Sequence, residues 1–218
     1  MKNLVKELRS ELKPKRDATI AASQSQYLKN KFPFLGIRTP ELRKTVRMLL
    51  RSSPSKDWRK EVLLFWKEPE REFHHAAIHW AIHHVDDASE QDLPLFEKLI
   101  VTNSWWDTVD WIAPYLIGHL FLKYPKLLSK ADKWIESDNL WLRRTAIIYP
   151  LRFKEKTDPE RLFHYCSKLG SDKEFFVRKA IGWVLREYSK TNPTSVRSFL
   201  KNAKLSSLSI REASKYLI

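Results

Sequence analysis

Apolar side chains along this chain recur at spacings of three and four, not two. At the start, Leu4, Val5, Leu8 and Leu12 form one stripe of an amphipathic helix. The same spacing continues throughout, punctuated by Pro, Ser, Asp and Asn. It predicts helices over 2–12, 17–30, 40–51, 56–67, 70–84, 90–101, 105–123, 126–135, 139–149, 159–169, 173–190, 194–203 and 208–217. Thr39 reads as an N-cap with Pro40 in the first helical position, and Ser89 with Asp92 reads as a capping box. Pro69, Pro125, Pro150, Pro159 and Pro193 fall at breaks. No stretch alternates with period two for long enough to predict a strand, and a chain with only 4 Gly is poor in the tight turns that sheets need. The pattern therefore predicts an all-α protein.

An internal repeat refines that expectation. Residues 137–147, Ser-Asp-Asn-Leu-Trp-Leu-Arg-Arg-Thr-Ala-Ile, align without gaps onto residues 171–181, Ser-Asp-Lys-Glu-Phe-Phe-Val-Arg-Lys-Ala-Ile, at an offset of 34. The same step back from Arg144 reaches Asp110, within Asn103-Ser104-Trp105-Trp106-Asp107-Thr108-Val109-Asp110. A two-helix unit of this length predicts an α-solenoid of HEAT-like helical repeats, one domain over 1–218, curved with a cationic concave face. Positions 110, 144 and 178 then occupy equivalent places on successive helices. Polar residues there can line a functional face or simply tie one repeat to the next, and spacing alone favours the second.

Charge narrows the partners. With 40 Lys and Arg against 26 Asp and Glu, the chain carries +14, which calls for an anionic partner: nucleic acid first, a membrane surface second. Nine Trp among these cations suit contact with bases or cationic ligands, although most must be core. The single Cys166 excludes a disulfide framework and a multi-cysteine zinc site within the chain, as expected of a reducing cytoplasm. The first helix lacks the continuous apolar run of a secretory signal, and no stretch approaches a membrane span. There is no P-loop, dinucleotide-binding glycine pattern or nucleophile elbow.

Four clusters could carry chemistry. Trp106 and Asp110, four apart, share a helix face, and Asp110 lies past the first turn, where capping would account for a carboxylate. An aromatic face beside a carboxylate can hold a cation; a core Trp with an inter-repeat salt-bridged Asp fits the same spacing. Gly182, inside a predicted helix, implies close approach of a neighbouring backbone, and Trp183 beside it shares a face with Lys179, Arg186 and Glu187, either as a functional wall or as packing between repeats. Residues 30–43 form a loop running into a capped helix start suited to phosphate, with Arg43 and Arg47 one turn apart, or else a hydrophobic joint with solvated arginines. His75, His79 and His83, flanked by His74 and His84, have zinc-compatible spacing. The HExxH pattern is absent and no cysteine lies near, so a polar helix face is the stronger reading.

At these residues the sequence resembles the AlkD-like family of DNA alkylation-repair glycosylases, built of HEAT-like repeats. The resemblance runs in order through residues 27–30, 34–40, 70–73, 104–110, 137–144 and 173–188. It implies that Asp110 is the catalytic aspartate, that Trp106 and Trp183 flank the lesion's sugar and backbone, and that Tyr27 and Arg144 contact DNA. Thr39, Arg43 and Arg186 are further expected backbone contacts. The stretch between Lys123 and Trp134 departs from the family's pattern by being one residue shorter. The implied activity is hydrolysis of the N-glycosidic bond of cationic N3- or N7-alkylated purines (3-methyladenine, 7-methylguanine) in duplex DNA, without base flipping, metal or cofactor. A monomer working in the cytoplasm, at the nucleoid of a prokaryote, is expected. The alternative is a non-catalytic HEAT-repeat module that binds nucleic acid or an acidic protein.

Overall fold

A computed structural model describes residues 3–52 and 57–217. The described residues are helical throughout, with no strand, and none of their helices is long and apolar enough to cross a membrane. The chain divides into two compact units, Met1–Asp87 and Ala88–Ile218.

In the first unit, α1 (Leu4–Leu12), α2 (Ala18–Tyr27), α3 (Thr39–Ser52), α4 (Trp58–Trp66) and α5 (Arg71–His83) follow the predicted pattern. The expected starts at residues 2 and 56 lie outside the described residues. On α1 the buried stripe is Leu4, Leu8 and Leu12, and this helix packs on α3 and α4. The helix α3 begins at Thr39 itself, one residue before the predicted start. The helix expected over 17–30 ends at Tyr27, because Lys29 and Asn30 turn into the left-handed region (φ 60° and 55°). Asparagine is enriched in that region and lysine is not, so only Asn30 signals the turn.

The α2 helix buries no side chain and is held by hydrogen bonds instead. Asp17 N–H donates to Leu35 O (3.2 Å), Gln24 Nε2 to Ile37 O (3.0 Å) and Ser25 Oγ to Phe32 O (3.1 Å). The loop supplying those carbonyls is itself anchored by Glu72, whose buried carboxylate accepts the N–H groups of Leu35 (3.0 Å), Gly36 (2.9 Å) and Ile37 (3.1 Å). Gly36 is required there: its φ is +85°, and a Cβ would sit 1.9 Å from Asp17 O. Removing the carboxylate strands three inward-facing donors, each costing about 1–3 kcal/mol. Glu72→Ala is therefore expected to lower the unfolding free energy by roughly 3 kcal/mol or more. A urea titration checks this, and a loss below about 1 kcal/mol would mean that the loop holds itself.

The second unit carries the repeat. In order it comprises α6 (Leu93–Val101), α7 (Trp106–Ile112), α8 (Gly118–Lys123), α9 (Leu128–Trp134), α10 (Leu140–Ile148), α11 (Pro159–Lys168), α12 (Phe175–Ser189), α13 (Pro193–Asn202) and α14 (Ser207–Ala213). Of these, α7, α10, α12 and α14 are successive neighbours in space. The Ser89–Asp92 capping box forms just before α6, and Asn103 turns the chain into α7 with φ 49°. The helix expected over 105–123 is interrupted by a π-helical turn, Ala113–Ile117. Pro114 explains it: lacking an N–H, it cannot bond the carbonyl of residue 110, and its ring crowds that carbonyl. Gly118 then lets the chain pass Tyr149, whose carbonyl oxygen lies 2.5 Å from where a Cβ would stand.

Candidate active site

The 34-residue register appears as a physical bond. Arg144, on α10, donates from Nε to Asp110 Oδ1 (2.8 Å) and from Nη2 to Asp110 Oδ2 (2.9 Å), and its Nη1 donates to Phe176 O on α12. One guanidinium thus joins three successive repeats. The Arg144 side chain is 5% exposed and that of Asp110 is 17% exposed. Arg144, expected at the DNA backbone, is therefore turned inward and grips the carboxylate by both oxygens. Burial pushes the Asp110 carboxyl above the usual carboxylate range, the Arg144 charge and hydrogen bonds pull it down, and Asp107 adds a small upward push; burial prevails. The adjacent Arg143 repeats the device, with its Nε on Asp172 Oδ2 at 2.8 Å.

The aromatic residues around this pair divide by role. Trp105 packs on Trp141 (5.5 Å between centroids) and Phe176 (5.2 Å), forming an inter-repeat cluster behind the helix starts. Trp106, one turn before Asp110, is half-buried. Trp183 on α12 is also half-buried and makes no ring contact or hydrogen bond among the described residues.

Gly182 is where the expected close approach occurs: a Cβ there would lie 2.4 Å from Glu212 Cβ and 2.9 Å from Ser209 O, both on α14. Sequence reasoning missed Glu212. Its buried carboxylate gathers Lys179 (3.1 Å), Arg186 (2.8 Å) and Lys215 (2.9 Å), so Arg186, the other cation of this unit expected on DNA, is also engaged internally. Chiefly through its bonds to Lys215 and Lys179, Glu212 is held down to about 2. A carboxyl depressed on folding stabilises the protein above its unfolded value, here near 4.5, and that contribution is lost as pH falls through about 2. Glu212→Gln is therefore expected to lower the melting temperature at pH 7. The gap to wild type should narrow progressively below pH 4.5, and a pH-independent gap in thermal melts would refute this assignment.

In the first unit, Tyr27 at the end of α2 is 70% exposed, and Thr39 is exposed at the start of α3. Arg43 donates from Nε to His79 Nε2 (3.3 Å). Burial, then the charges of Arg43, His75 and Arg47, bring His79 down to about 4, which keeps it a neutral acceptor. The neighbouring histidines serve packing: His74 meets Trp66 (4.9 Å) and Phe32 (5.9 Å), and His84 stacks on Trp58 (6.0 Å). Among the described residues no group of three or more His, Cys, Asp or Glu could hold a metal ion.

The family model described as DNA alkylation repair enzyme matches residues 8–217. The chain belongs to the DNA alkylation repair enzyme family. A solved structure titled as a predicted DNA alkylation repair enzyme from Enterococcus faecalis is 34% identical, with a TM-score of 0.86 over 93% of this chain and 96% of that one. The crystal structure of AlkD2 from Streptococcus mutans is similar in fold, at 23% identity and a TM-score of 0.63, over 90% of this chain and 99% of that one. A search of curated proteins gave no match. The all-α helical-repeat fold read from the sequence is thus the fold of this family, and DNA is the partner that membership implies.

Proposed function

We propose that the protein is a DNA glycosylase that hydrolyses the N-glycosidic bond of N3- or N7-alkylated purines in duplex DNA. The observation that carries this reading is the Asp110 carboxylate, fixed by Arg144 yet still reaching solvent, on the same helix as Trp106. Alkylation leaves the purine positively charged, so the C1′–N bond breaks with its electron pair going to the ring nitrogen, and a neutral base departs. Positive charge then develops on the sugar. A prepositioned carboxylate lowers the energy of that charge without reorganising, and the faces of Trp106 and Trp183 add cation–π attraction. Each Asp110 oxygen keeps a second lone pair after its bond to Arg144, enough to accept a hydrogen bond from the water that attacks C1′ and loses its proton to solvent. No step calls for a metal or a cofactor, and none requires the base to leave the stack.

In this reading Tyr27, Thr39 and Arg43 meet the DNA backbone. Arg144 acts by holding Asp110, and Arg186 reaches a phosphate only by leaving Glu212. A monomer working on chromosomal DNA in the cytoplasm fits this role. The test is release of 7-methylguanine and 3-methyladenine from methylated duplex by the wild-type protein. Absence of release would overturn the glycosylase reading. It would favour the second one, a non-catalytic nucleic-acid-binding repeat module, which the tight inter-repeat pairing of Asp110 with Arg144 supports.

A further inference from the structure

One aromatic and cationic cluster lies outside the site above. Trp111, the residue after Asp110, stacks on Tyr115 with 4.9 Å between centroids and 22° between planes. The guanidinium of Arg152 lies 4.2 Å from the Tyr115 centroid. Tyr115 belongs to the π turn that Pro114 forces, and Arg152 closes the short 3-10 turn after α10. Arg152 is exposed and, among the described residues, makes no ion pair. In this unit Arg143, Arg144, Arg161 and Arg186 are each held by a carboxylate; of the described arginines here that make no ion pair, Arg152 is the one that lies over an aromatic ring. Lys154 and Lys156 follow, likewise exposed and outside any ion pair.

A guanidinium laid on a ring has surrendered much of its freedom before any partner arrives. The Arg152 guanidinium carbon is held over the ring while its N–H donors make no hydrogen bond among the described residues, and that fork of donors suits the paired oxygens of a phosphate. The cation–π contact alone is weak at an exposed site, and it leaves the donors unspent. We infer that Arg152, oriented by Tyr115 and backed by Lys154 and Lys156, grips a phosphodiester of the DNA backbone, on a rail that begins one residue from Asp110. The inference rests on duplex DNA being the substrate.

The experiment measures duplex affinity against salt concentration for wild type, Arg152→Ala, Tyr115→Leu and the double variant, with thermal melts confirming that each is folded. Arg152→Ala is expected to weaken binding about tenfold at low salt and to reduce the slope of log K against log salt by roughly one. Tyr115→Leu keeps the charge but frees it, so affinity falls by a smaller factor with the slope nearly unchanged. The double variant binds no more weakly than Arg152→Ala. Wild-type protein without salt-dependent duplex binding would refute the DNA reading itself. Salt-dependent wild-type binding that Arg152→Ala leaves unchanged, or additive losses in the double variant, would overturn the inference alone. So would polyglutamate competing as well as duplex for wild type but not for Arg152→Ala, which would mark an acidic protein as the partner.

Discussion

Asp110→Asn is expected to slow release of 7-methylguanine from methylated duplex by about 10²–10³-fold while leaving duplex affinity nearly unchanged. The substitution preserves shape and removes one charge. Asparagine can still accept one bond from Arg144, but its amide nitrogen then faces the second guanidinium donor, and one of the 2.8–2.9 Å bonds is lost. The buried Arg144 keeps its charge without a counter-ion, so some stability is lost as well. The assay is therefore run below the variant's melting onset, with DNA affinity measured on the same preparation. Unchanged release by a folded variant would remove Asp110 from the chemistry and leave it as a joint between repeats. Loss of release together with loss of DNA binding would place it in binding rather than in bond cleavage.

The offset of 34 puts Asp110 and Arg144 at equivalent positions of successive repeats, and a helical repeat sets such positions side by side. Gly182 signals close approach of a neighbouring backbone, since a mid-helix glycine is costly unless a neighbour needs the space; which neighbour, α14, comes only from the fold. What could not be read was the direction of each charge. The resemblance makes Arg144 and Arg186 expected DNA contacts, yet both are bonded to carboxylates within the protein. The partner of Arg186 is Glu212, on a seven-residue helix whose identity as a counter-charge depends on the packing of α12 against α14. Glu72 was legible only as part of a resembling block, since nothing local reveals a carboxylate serving a loop 35 to 37 residues earlier. The π turn was also hidden: Pro114 signals that a helical bond is missing, but not whether the helix breaks, kinks or widens.

Arg144→Ala separates the two roles open to that arginine. If it acts by positioning Asp110, its loss leaves a mostly buried carboxylate without a cation, at a cost of about 3–5 kcal/mol near neutral pH. The sign of the pH dependence follows from Asp110. Its carboxyl already lies above the usual range through burial, and removing the Arg144 charge and hydrogen bonds raises it further. The variant relieves its strain by protonating that carboxyl, so its stability deficit shrinks as pH falls. Base release needs the ionised form, so the acid limb of the pH–rate profile moves to higher pH, and the rate at saturating DNA drops even where affinity is preserved. Arg144→Lys restores the charge but not the two-pronged grip, and is expected to return part of the pH shift with less of the rate. If Arg144 instead served mainly to hold DNA, the alanine variant would show weaker binding and a smaller salt slope, with an unmoved acid limb and a wild-type rate at saturation. Its bonds to Asp110 and to Phe176 O, made on opposite sides of one guanidinium, argue for the first outcome: an arginine tied into the repeats on both sides of it has few donors left to offer a phosphate.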